Sequence, residues 1–227
     1  MNTALVIVDM QKYYLYPGCD FYAYHEALHP GSMDYIAGRC ADTVIPNTRL
    51  LIDFFRSRLM PVIYLRLCGD REDRSDLHRF FRTAHSMAAR AGYYNLYPTV
   101  SNPHSAIIDE IAPNDDEIVL VKRSFSPFTG TGIGDILQEL SVHTLVFAGL
   151  ATSQCVETTA RDASDRGYSI IHIDDAQADY TEDTHYASLF SSQSVCGGWV
   201  FNTATFMDSY PTIMHSIETA EEILPVP

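Results

Sequence analysis

Residues 145–159 read LVFAGLATSQCVETT and combine the signals of a buried strand, a sharp turn and a helix. The apolar run before Gly149 is short and β-rich, as expected of a buried parallel strand. Thr152 and Ser153 are residue types that favour the N-cap position of a helix. We therefore predict a strand that turns at Gly149 into a helix, with Cys155 in the first helical turn.

Cys155 has two interpretations at this position. Backbone N–H groups in a first helical turn have no intrahelical partner, and the helix dipole is positive there. Such an environment favours a thiolate, lowers a cysteine pKa from its free value of about 8.5, and offers N–H groups to an oxyanion. The alternative is a buried structural cysteine, a common role for this residue type. Residues 145–159 alone favour neither interpretation.

The chain has 227 residues, of which 46% are hydrophobic, and a formal net charge of −14. This length predicts one α/β domain that spans residues 1–227. Because no basic patch can dominate the surface of so acidic a chain, we expect no nucleic-acid partner and no anionic membrane partner. A small-molecule substrate, including a small anion held by one or two arginines, is compatible with this charge.

Cysteine usage and the first residues of the chain indicate a cellular compartment. The five cysteines are odd in number and include no C-x-x-C pair, which suggests free thiols in a reducing environment. Residues 1–9 lack the basic and apolar regions of a secretory signal, and no apolar run approaches the length of a membrane span. We therefore expect a cytoplasmic protein.

Apolar, β-rich runs alternate with helical patterns along the chain. The helical patterns cover residues 42–58, 75–90, 133–140, 153–166, 182–193 and 207–224. Strands are predicted at residues 4–8, 61–66, 117–121, 143–148, 168–173 and, at a sheet edge, 197–201. This alternation predicts a Rossmann-like α/β fold. We expect a three-layer α/β/α arrangement around a six-stranded parallel sheet, with strand order 3-2-1-4-5-6.

Residues 10–39 separate the first predicted strand from the first helical pattern and carry a dense set of tyrosines. The segment is too long for an ordinary connection, so we predict an irregular functional loop or a lid. Its tyrosines either wall a pocket or cover an interface, and the sequence leaves both alternatives open.

Three chemically active residues stand near the C-terminal ends of predicted strands: Asp9, Lys122 and Cys155. Ligands bind at this edge of open α/β sheets, and in the predicted order the first and fourth strands are neighbours at the switch point. A carboxylate can accept the thiol proton while an ammonium supports the developing negative charge. Taken singly, Asp9 is also typical of a turn and Lys122 of a solvated strand end.

Three motifs in the chain are recognisable. They are VDMQ at residues 8–11, VKRSFSPFTGT at residues 121–131 and GLATSQCVETTARDA at residues 149–163. Together they resemble the isochorismatase-like cysteine hydrolase superfamily, and the resemblance covers nearly the whole chain. This superfamily includes nicotinamidase, N-carbamoylsarcosine amidase, and the ureidoacrylate and biuret hydrolases. The motifs are specific for the superfamily and unspecific for the substrate.

The resemblance implies a catalytic triad of Asp9, Lys122 and Cys155. It also implies an oxyanion hole from the backbone N–H groups of Ala151 and Cys155, and a cis peptide between Leu150 and Ala151. The implied reaction cleaves a C–N bond of a small amide, carbamoyl or ureido compound. It proceeds through a covalent acyl intermediate on Cys155 and releases ammonia or an amine. Homo-oligomers, either dimers or tetramers, are a further implication.

The chain departs from the nicotinamidases after the second predicted strand, where residues 66–73 contain no histidine. We therefore expect no metal ion and no cofactor, since zinc or iron would need imidazole ligands there. One alternative is an isochorismatase-type vinyl-ether hydrolase; some lineages of that type lack the cysteine, so Cys155 favours C–N hydrolysis. The other is a non-catalytic binding module on the same fold, which the intact triad disfavours.

Candidate substrate-binding residues come from the motifs, the tyrosine-rich segment and other aromatic positions suited to a flat ligand. Each polar candidate has an alternative role as a structural hydrogen-bonding group. The candidates are Gln11, Tyr14, Tyr22, Tyr24, Arg66, Phe128, Thr152, Gln154 and Trp199.

Overall fold

The computed structural model describes residues 2–223 and contains a six-stranded parallel sheet. The strand order is 3-2-1-4-5-6, which confirms the prediction. Neighbouring strands are parallel throughout the sheet. The strands are β1 (Asn2–Val8), β2 (Val62–Leu67), β3 (Ile118–Lys122), β4 (Val142–Leu150), β5 (Ser169–Ala178) and β6 (Trp199–Phe201).

Helices flank this sheet, as the alternating pattern predicted. In the described chain they are α1 (Lys12–Leu15), α2 (Asp20–Leu28), α3 (Asp34–Arg39), α4 (Ile45–Ser57), α5 (Arg79–Arg90), α6 (Ile133–Glu139), α7 (Glu157–Asp165), α8 (Glu182–Val195) and α9 (Thr203–Ile223). Helix α4 packs against α9, and α7 packs against α8. The helix predicted at residues 207–224 is α9, and its predicted last residue lies outside the described residues. Within residues 2–223, no helix has the length and apolarity needed to cross a membrane.

The centre of the core is strand β1, which lies between β2 and β4. Its residues from Ala4 to Val8 are fully buried, because helices cover both faces of the sheet. At one edge of the sheet, Val119 of β3 is exposed to 36%. The central position of β1, in contrast to the edge position of β3, explains why its sequence is an unbroken apolar run. Asp9, which follows β1, is buried for the same reason.

Gly149 allows the C-terminal ends of β1 and β4 to approach each other closely. It pairs with Val8, and its φ of +111° lies in the region that favours glycine. A Cβ atom at this position would lie 2.1 Å from the carbonyl oxygen of Val8. The close approach brings Asp9 and the turn that carries Cys155 to the same point of the sheet edge.

The prediction of an irregular loop over residues 10–39 is wrong, because α1, α2 and α3 lie in this segment. These helices are short and show weak sequence periodicity, so they were missed. Aromatic contacts hold α1 and α2 together: the ring of Phe21 stacks on Tyr14 with centroids 4.6 Å apart and meets the edge of Tyr13 at 5.7 Å. Tertiary contacts thus stabilise helices that local propensity did not indicate.

The predicted cis peptide between Leu150 and Ala151 is also wrong, since residues 2–223 contain no cis peptide bond. The chain changes direction at Gly149 through its positive φ instead. Ala151 then adopts an extended conformation, with φ −82° and ψ 146°, immediately before the helical turn that carries Cys155.

Candidate active site

Asp9, Lys122 and Cys155 meet at the C-terminal edge of the sheet, as the sequence predicted. The Nζ atom of Lys122 lies 2.8 Å from Oδ2 of Asp9 and donates a hydrogen bond of 3.1 Å to Sγ of Cys155. It also donates to the backbone oxygen of Ser124 at 3.1 Å. Lys122 ends the edge strand β3, so its side chain extends past β2 to reach Asp9. All three side chains of the cluster are buried.

Asp9 is held by its backbone in an uncommon conformation. Its φ is +51°, in the left-handed region that aspartate tolerates better than most residues. Its N–H donates to the oxygen of Leu65 at 3.0 Å, which anchors the residue to β2. Among the described residues, the buried Oδ1 atom of Asp9 has no hydrogen-bond partner. This oxygen is therefore available to accept a proton inside the site.

Burial dominates the electrostatics of the cluster and disfavours a thiolate on the resting Cys155. Burial, together with the negative charge of Asp9, raises the pKa of the Cys155 thiol, so the resting residue carries its proton. Burial also raises the pKa of the Asp9 carboxyl, while the Lys122 ammonium limits that rise. For Lys122, burial lowers the pKa, but Asp9 and Cys155 raise it overall. Burial is thus the largest influence on the pKa of this thiol.

Cys155 lies in a π-helical turn, Thr152–Val156, that leads into α7. The N-cap is Ala151 rather than the predicted Thr152 or Ser153, and Ala151 has no polar side-chain atom to cap the turn. The cap comes from another element: Oδ2 of the fully buried Asp179 accepts a 2.6 Å hydrogen bond from the N–H of Ser153. A carboxylate at a helix N-terminus stabilises it through the helix dipole.

Asp179 was missed because the fifth strand was predicted to end too early. β5 continues through an irregular pairing with β4, in which the partners shift between Phe147 and Gly149, and ends at Ala178. Asp179 therefore follows a strand at the same sheet edge as Asp9. The rule that identified Asp9 would have identified Asp179 if the strand had been extended.

Thr152, one of the predicted substrate-binding residues, belongs to a hydrogen-bonded network. Its Oγ1 lies 2.8 Å from Nδ1 of the fully buried His185, whose Nε2 lies 2.8 Å from Oδ1 of Asp174. Arg39 also donates to that carboxylate at 2.9 Å. These contacts connect α3, β5 and α8 to the turn that carries Cys155 and hold it in place.

A cavity of 20 Å³, large enough for about one water molecule, adjoins Cys155. Among the predicted site residues, Asp9, Ala151, Cys155, Tyr14 and Gln154 line it. Most of the remaining wall is aromatic. It includes Tyr13, from the segment whose tyrosines had a pocket wall as one alternative, and residues that were not predicted individually: Phe21, Phe81, Tyr97 and Tyr180. These residues come from separate parts of the chain, so no local pattern links them to the site.

A larger groove of 690 Å³ lies outside this cavity, and the predicted Tyr24 lines it. Tyr97, Gln154 and Tyr180 line both spaces and form the partition between them. The hydroxyl groups of Tyr14 and Tyr180 are 2.6 Å apart and hydrogen-bonded to each other. We name these spaces the inner cavity and the outer groove.

The remaining polar candidates make structural hydrogen bonds. Nε2 of Gln11 donates to the oxygen of Ser105 at 2.6 Å, and its Oε1 accepts from the N–H of Leu67 at 2.7 Å. Nη2 of Arg66 donates to Oγ of Ser105 at 2.6 Å. Gln11 and Arg66 therefore fix the loop before β3 to the ends of β1 and β2.

Three aromatic candidates lie away from both the inner cavity and the outer groove. The ring of Phe128 packs under the guanidinium of Arg166, 4.8 Å from its centroid. Trp199 belongs to the edge strand β6, and Tyr22 packs against the core on α2. Aromatic character alone therefore did not identify the side chains that line these two spaces.

The segment after β2 contains carboxylates that are already paired. Nε of Arg123 lies 3.1 Å from Oδ2 of Asp76, and its Nη2 contacts Oδ2 of Asp70. Within residues 2–223, no three His, Cys, Asp or Glu side chains are grouped so that they could hold a metal ion. Independence from metal stays a prediction.

Comparison with known proteins places these features in a family. Residues 3–205 match the profile of the Isochorismatase domain. The ureidoacrylate amidohydrolase RutB of Acinetobacter baylyi is 34% identical over 116 residues, which cover 50% of this chain and 46% of that protein. The match thus spans about half the length of this curated relative.

Solved structures share the fold over most of their length. A cysteine hydrolase from Pseudomonas syringae pv. phaseolicola is 25% identical with a TM-score of 0.73, and the match covers 93% of each chain. The N-carbamoylsarcosine amidase of Thermoplasma acidophilum is 26% identical with a TM-score of 0.66, over 89% of this chain and 97% of that chain. With its domain match over residues 3–205, this chain belongs to the isochorismatase family.

Proposed function

We propose that this protein is a cysteine hydrolase that cleaves the C–N bond of an amide, carbamoyl or ureido compound. The observation that carries the proposal is the buried cluster in which Lys122 contacts both Asp9 and Cys155 beside one cavity. The likeness to a ureidoacrylate amidohydrolase and to an N-carbamoylsarcosine amidase supports the same reaction class.

The first half of the proposed reaction acylates the enzyme. Asp9 accepts the proton of Cys155, and the sulfur attacks the carbonyl carbon of the substrate. The raised pKa of Asp9 makes its carboxylate a better-matched acceptor for a thiol proton than an exposed aspartate. The backbone N–H groups of Ala151 and Cys155 hold the oxyanion, and Lys122 offsets the negative charge of the cluster.

The second half releases the products. Asp9 gives its proton to the departing nitrogen as the C–N bond breaks, leaving an acyl group on Cys155. Asp9 then takes a proton from a water molecule, which attacks the thioester and regenerates the thiol. For a primary amide the overall reaction is R–CO–NH₂ + H₂O → R–COO⁻ + NH₄⁺. The aromatic wall of the inner cavity supports this chemistry by limiting bulk water.

Ammonia release from a panel of primary amides, carbamoyl and ureido compounds tests the proposal. We expect turnover by the intact protein and a loss of at least about 10³-fold in kcat on Cys155→Ala, as for other nucleophile deletions. Cys196→Ser is the matched control, because Cys196 lies outside the inner cavity and is half-buried. A mass increase on Cys155 during single turnover should identify the acyl intermediate.

Two outcomes would contradict the proposal. If the protein turns over isochorismate and Cys155→Ala retains that activity, the vinyl-ether alternative is correct. If no compound of the panel releases ammonia or acylates Cys155, and isochorismate is not turned over, the chain is a binding module on this fold. Unchanged amidase activity in Cys155→Ala would refute the covalent mechanism alone.

A further inference from the structure

We infer that the substrate is a primary amide whose acyl side carries an apolar, uncharged or cationic substituent, and that this substituent occupies the outer groove. The inference rests on the proposed function and goes beyond it by naming the substrate class. It predicts that amides bearing a carboxylate, and ureido acids, are poor substrates.

The outer groove adjoins the inner cavity and is separated from it only by side chains that line both spaces. Tyr97, Gln154 and Tyr180 line both the groove and the inner cavity that contains Cys155. A substrate with its carbonyl at Cys155 must therefore pass between these three side chains into the groove. Its reactive carbonyl and its substituent then lie on opposite sides of this partition.

The walls of the groove suit an apolar substituent. They include Tyr24, Tyr35 and Leu96, together with Phe80 and Met87 of α5. Phe80 and Met87 are exposed to 50% and 57%, although both are large and apolar. Apolar side chains exposed together around a groove next to an active site are typical of a ligand-binding surface.

The charges of the groove disfavour an anion. Among the residues that the structure describes, no lysine or arginine lines the groove, whereas the carboxylate of Glu182 does. Burial, with a smaller contribution from His29, lowers the pKa of the lining His25, so its imidazole is neutral at pH 7. Lys122, inside the site, is already paired with Asp9. A substrate carboxylate in the groove would lie near Glu182 without a cationic partner among the lining residues.

The sizes of the inner cavity and the outer groove indicate which end of the substrate lies in each. The inner cavity, at 20 Å³, is far smaller than the groove, so we assign the amide group to the cavity and infer that its departing nitrogen carries no bulky substituent. The groove, at 690 Å³, is far larger than a ureido group and is in the range of small-molecule sites. The bulk of the substrate is therefore on the acyl side.

Three primary amides test the inference: propanamide, 3-phenylpropanamide, and the latter with a para carboxylate on its ring. We expect kcat/KM for 3-phenylpropanamide to exceed that for propanamide by about 10-fold or more, because transfer of the phenyl ring from water into the apolar groove is favourable. We expect the carboxylate compound to fall at least about 30-fold below 3-phenylpropanamide, since its charge has no partner in the groove.

A substitution that adds a positive charge to the groove tests whether the substituent of the substrate lies there. Met87→Lys places an ammonium in the groove and should raise kcat/KM for the carboxylate compound relative to 3-phenylpropanamide by about 10-fold. Leu50→Lys is the matched control, because Leu50 is an exposed helix residue that does not line the groove. It should leave the ratio unchanged.

The outcomes separate the inference from the proposed function. If none of the three amides releases ammonia while a carbamoyl or ureido compound of the wider panel does, the inference is refuted and the proposed function stands. Ammonia release from no compound of either set would refute the proposed function. Release from propanamide or the carboxylate compound with a kcat/KM equal to or above that for 3-phenylpropanamide would refute the inference and leave the function intact. An unchanged ratio in Met87→Lys would also refute the assignment of the groove.

Discussion

Nζ of Lys122 lies 2.8 Å from Oδ2 of Asp9, and both side chains are buried at the carboxyl edge of the sheet. A buried charge without a partner is strongly destabilising, so each of these residues needs the other. The Lys122 ammonium also limits the rise that burial causes in the pKa of Asp9. The pair therefore sets the pH range in which Asp9 can accept a proton.

Lys122→Met should shift the acidic limb of the pH profile of kcat/KM to higher pH. The pKa of Asp9 is raised by burial, so the base is lost as pH falls through that raised value. Without the ammonium the pKa rises further, and the loss begins at higher pH. At neutral pH we expect a decrease in kcat/KM of about 10²-fold or more. Measurement of kcat/KM against pH checks this.

Lys12→Met is the control for this shift, because Lys12 is the only other lysine of the chain. Lys12 pairs with the exposed Asp109 at 2.6 Å, away from the cluster. Its replacement should leave the acidic limb in place. An acidic limb in Lys122→Met that coincides with that of the unmodified protein would show that Lys122 does not control the Asp9 titration.

Iodoacetamide should alkylate Cys196 before Cys155 at pH 7.5. Cys155 is 5% exposed and its thiol pKa is raised by burial and by Asp9, whereas Cys196 is half-buried. Peptide mass spectrometry after timed labelling measures the order, and labelling in urea should remove the difference. If Cys155 reacts first in the folded protein, its thiolate is more populated than the buried environment indicates.

Asp179→Ala should remove the cap of the turn that carries Cys155. We therefore expect it to lower the free energy of unfolding by about 1–2 kcal/mol and to lower kcat as well. Asp179→Asn should retain much of both. Asp175→Ala is the matched control: its carboxylate caps α9 by accepting from the N–H of Thr203 at 2.8 Å. It should cost similar stability with little change in kcat. Equal losses of kcat in both alanine variants would contradict a specific effect on Cys155.

Gly149→Ala should lower the free energy of unfolding by about 3 kcal/mol or more. The new Cβ would lie 2.1 Å from the oxygen of Val8, and the φ of +111° is unfavourable for alanine. Gly134→Ala is the control, because its Cβ in α6 would meet no atom within 4 Å and alanine is the better helix former. It should raise stability by up to about 1 kcal/mol. Urea denaturation compares the two variants.

Activity should survive dialysis against a chelator. The carboxylates of Asp70 and Asp76, after β2, are already paired with the guanidinium of Arg123, which competes with a metal ion for them. Ammonia release before and after dialysis, and after addition of Zn²⁺ or Mn²⁺, measures the effect. Loss of activity that one of these metals restores would overturn this prediction.

The strand order and the meeting of Asp9, Lys122 and Cys155 could be predicted from the sequence because both follow from local patterns and general rules. Buried parallel strands leave unbroken apolar runs, as in β1, and right-handed crossovers limit the order of such strands. Residues at the carboxyl ends of neighbouring strands must then lie close together. A carboxylate, a lysine and a cysteine could thus be assigned to one site without knowing any side-chain position.

Only the tertiary structure decided the surroundings of that site. The inner cavity takes aromatic residues from segments far apart in the chain, such as Phe21, Phe81 and Tyr180, and no local period connects them. The pKa of Cys155 depends on how completely these residues remove water, which reverses the direction expected from a helix terminus alone. Asp179 became a cap because β5 continues through an irregular pairing that depends on β4. Desolvation and long-range contacts are collective properties of the folded chain, and therefore the sequence pattern located the reactive groups but not their environment.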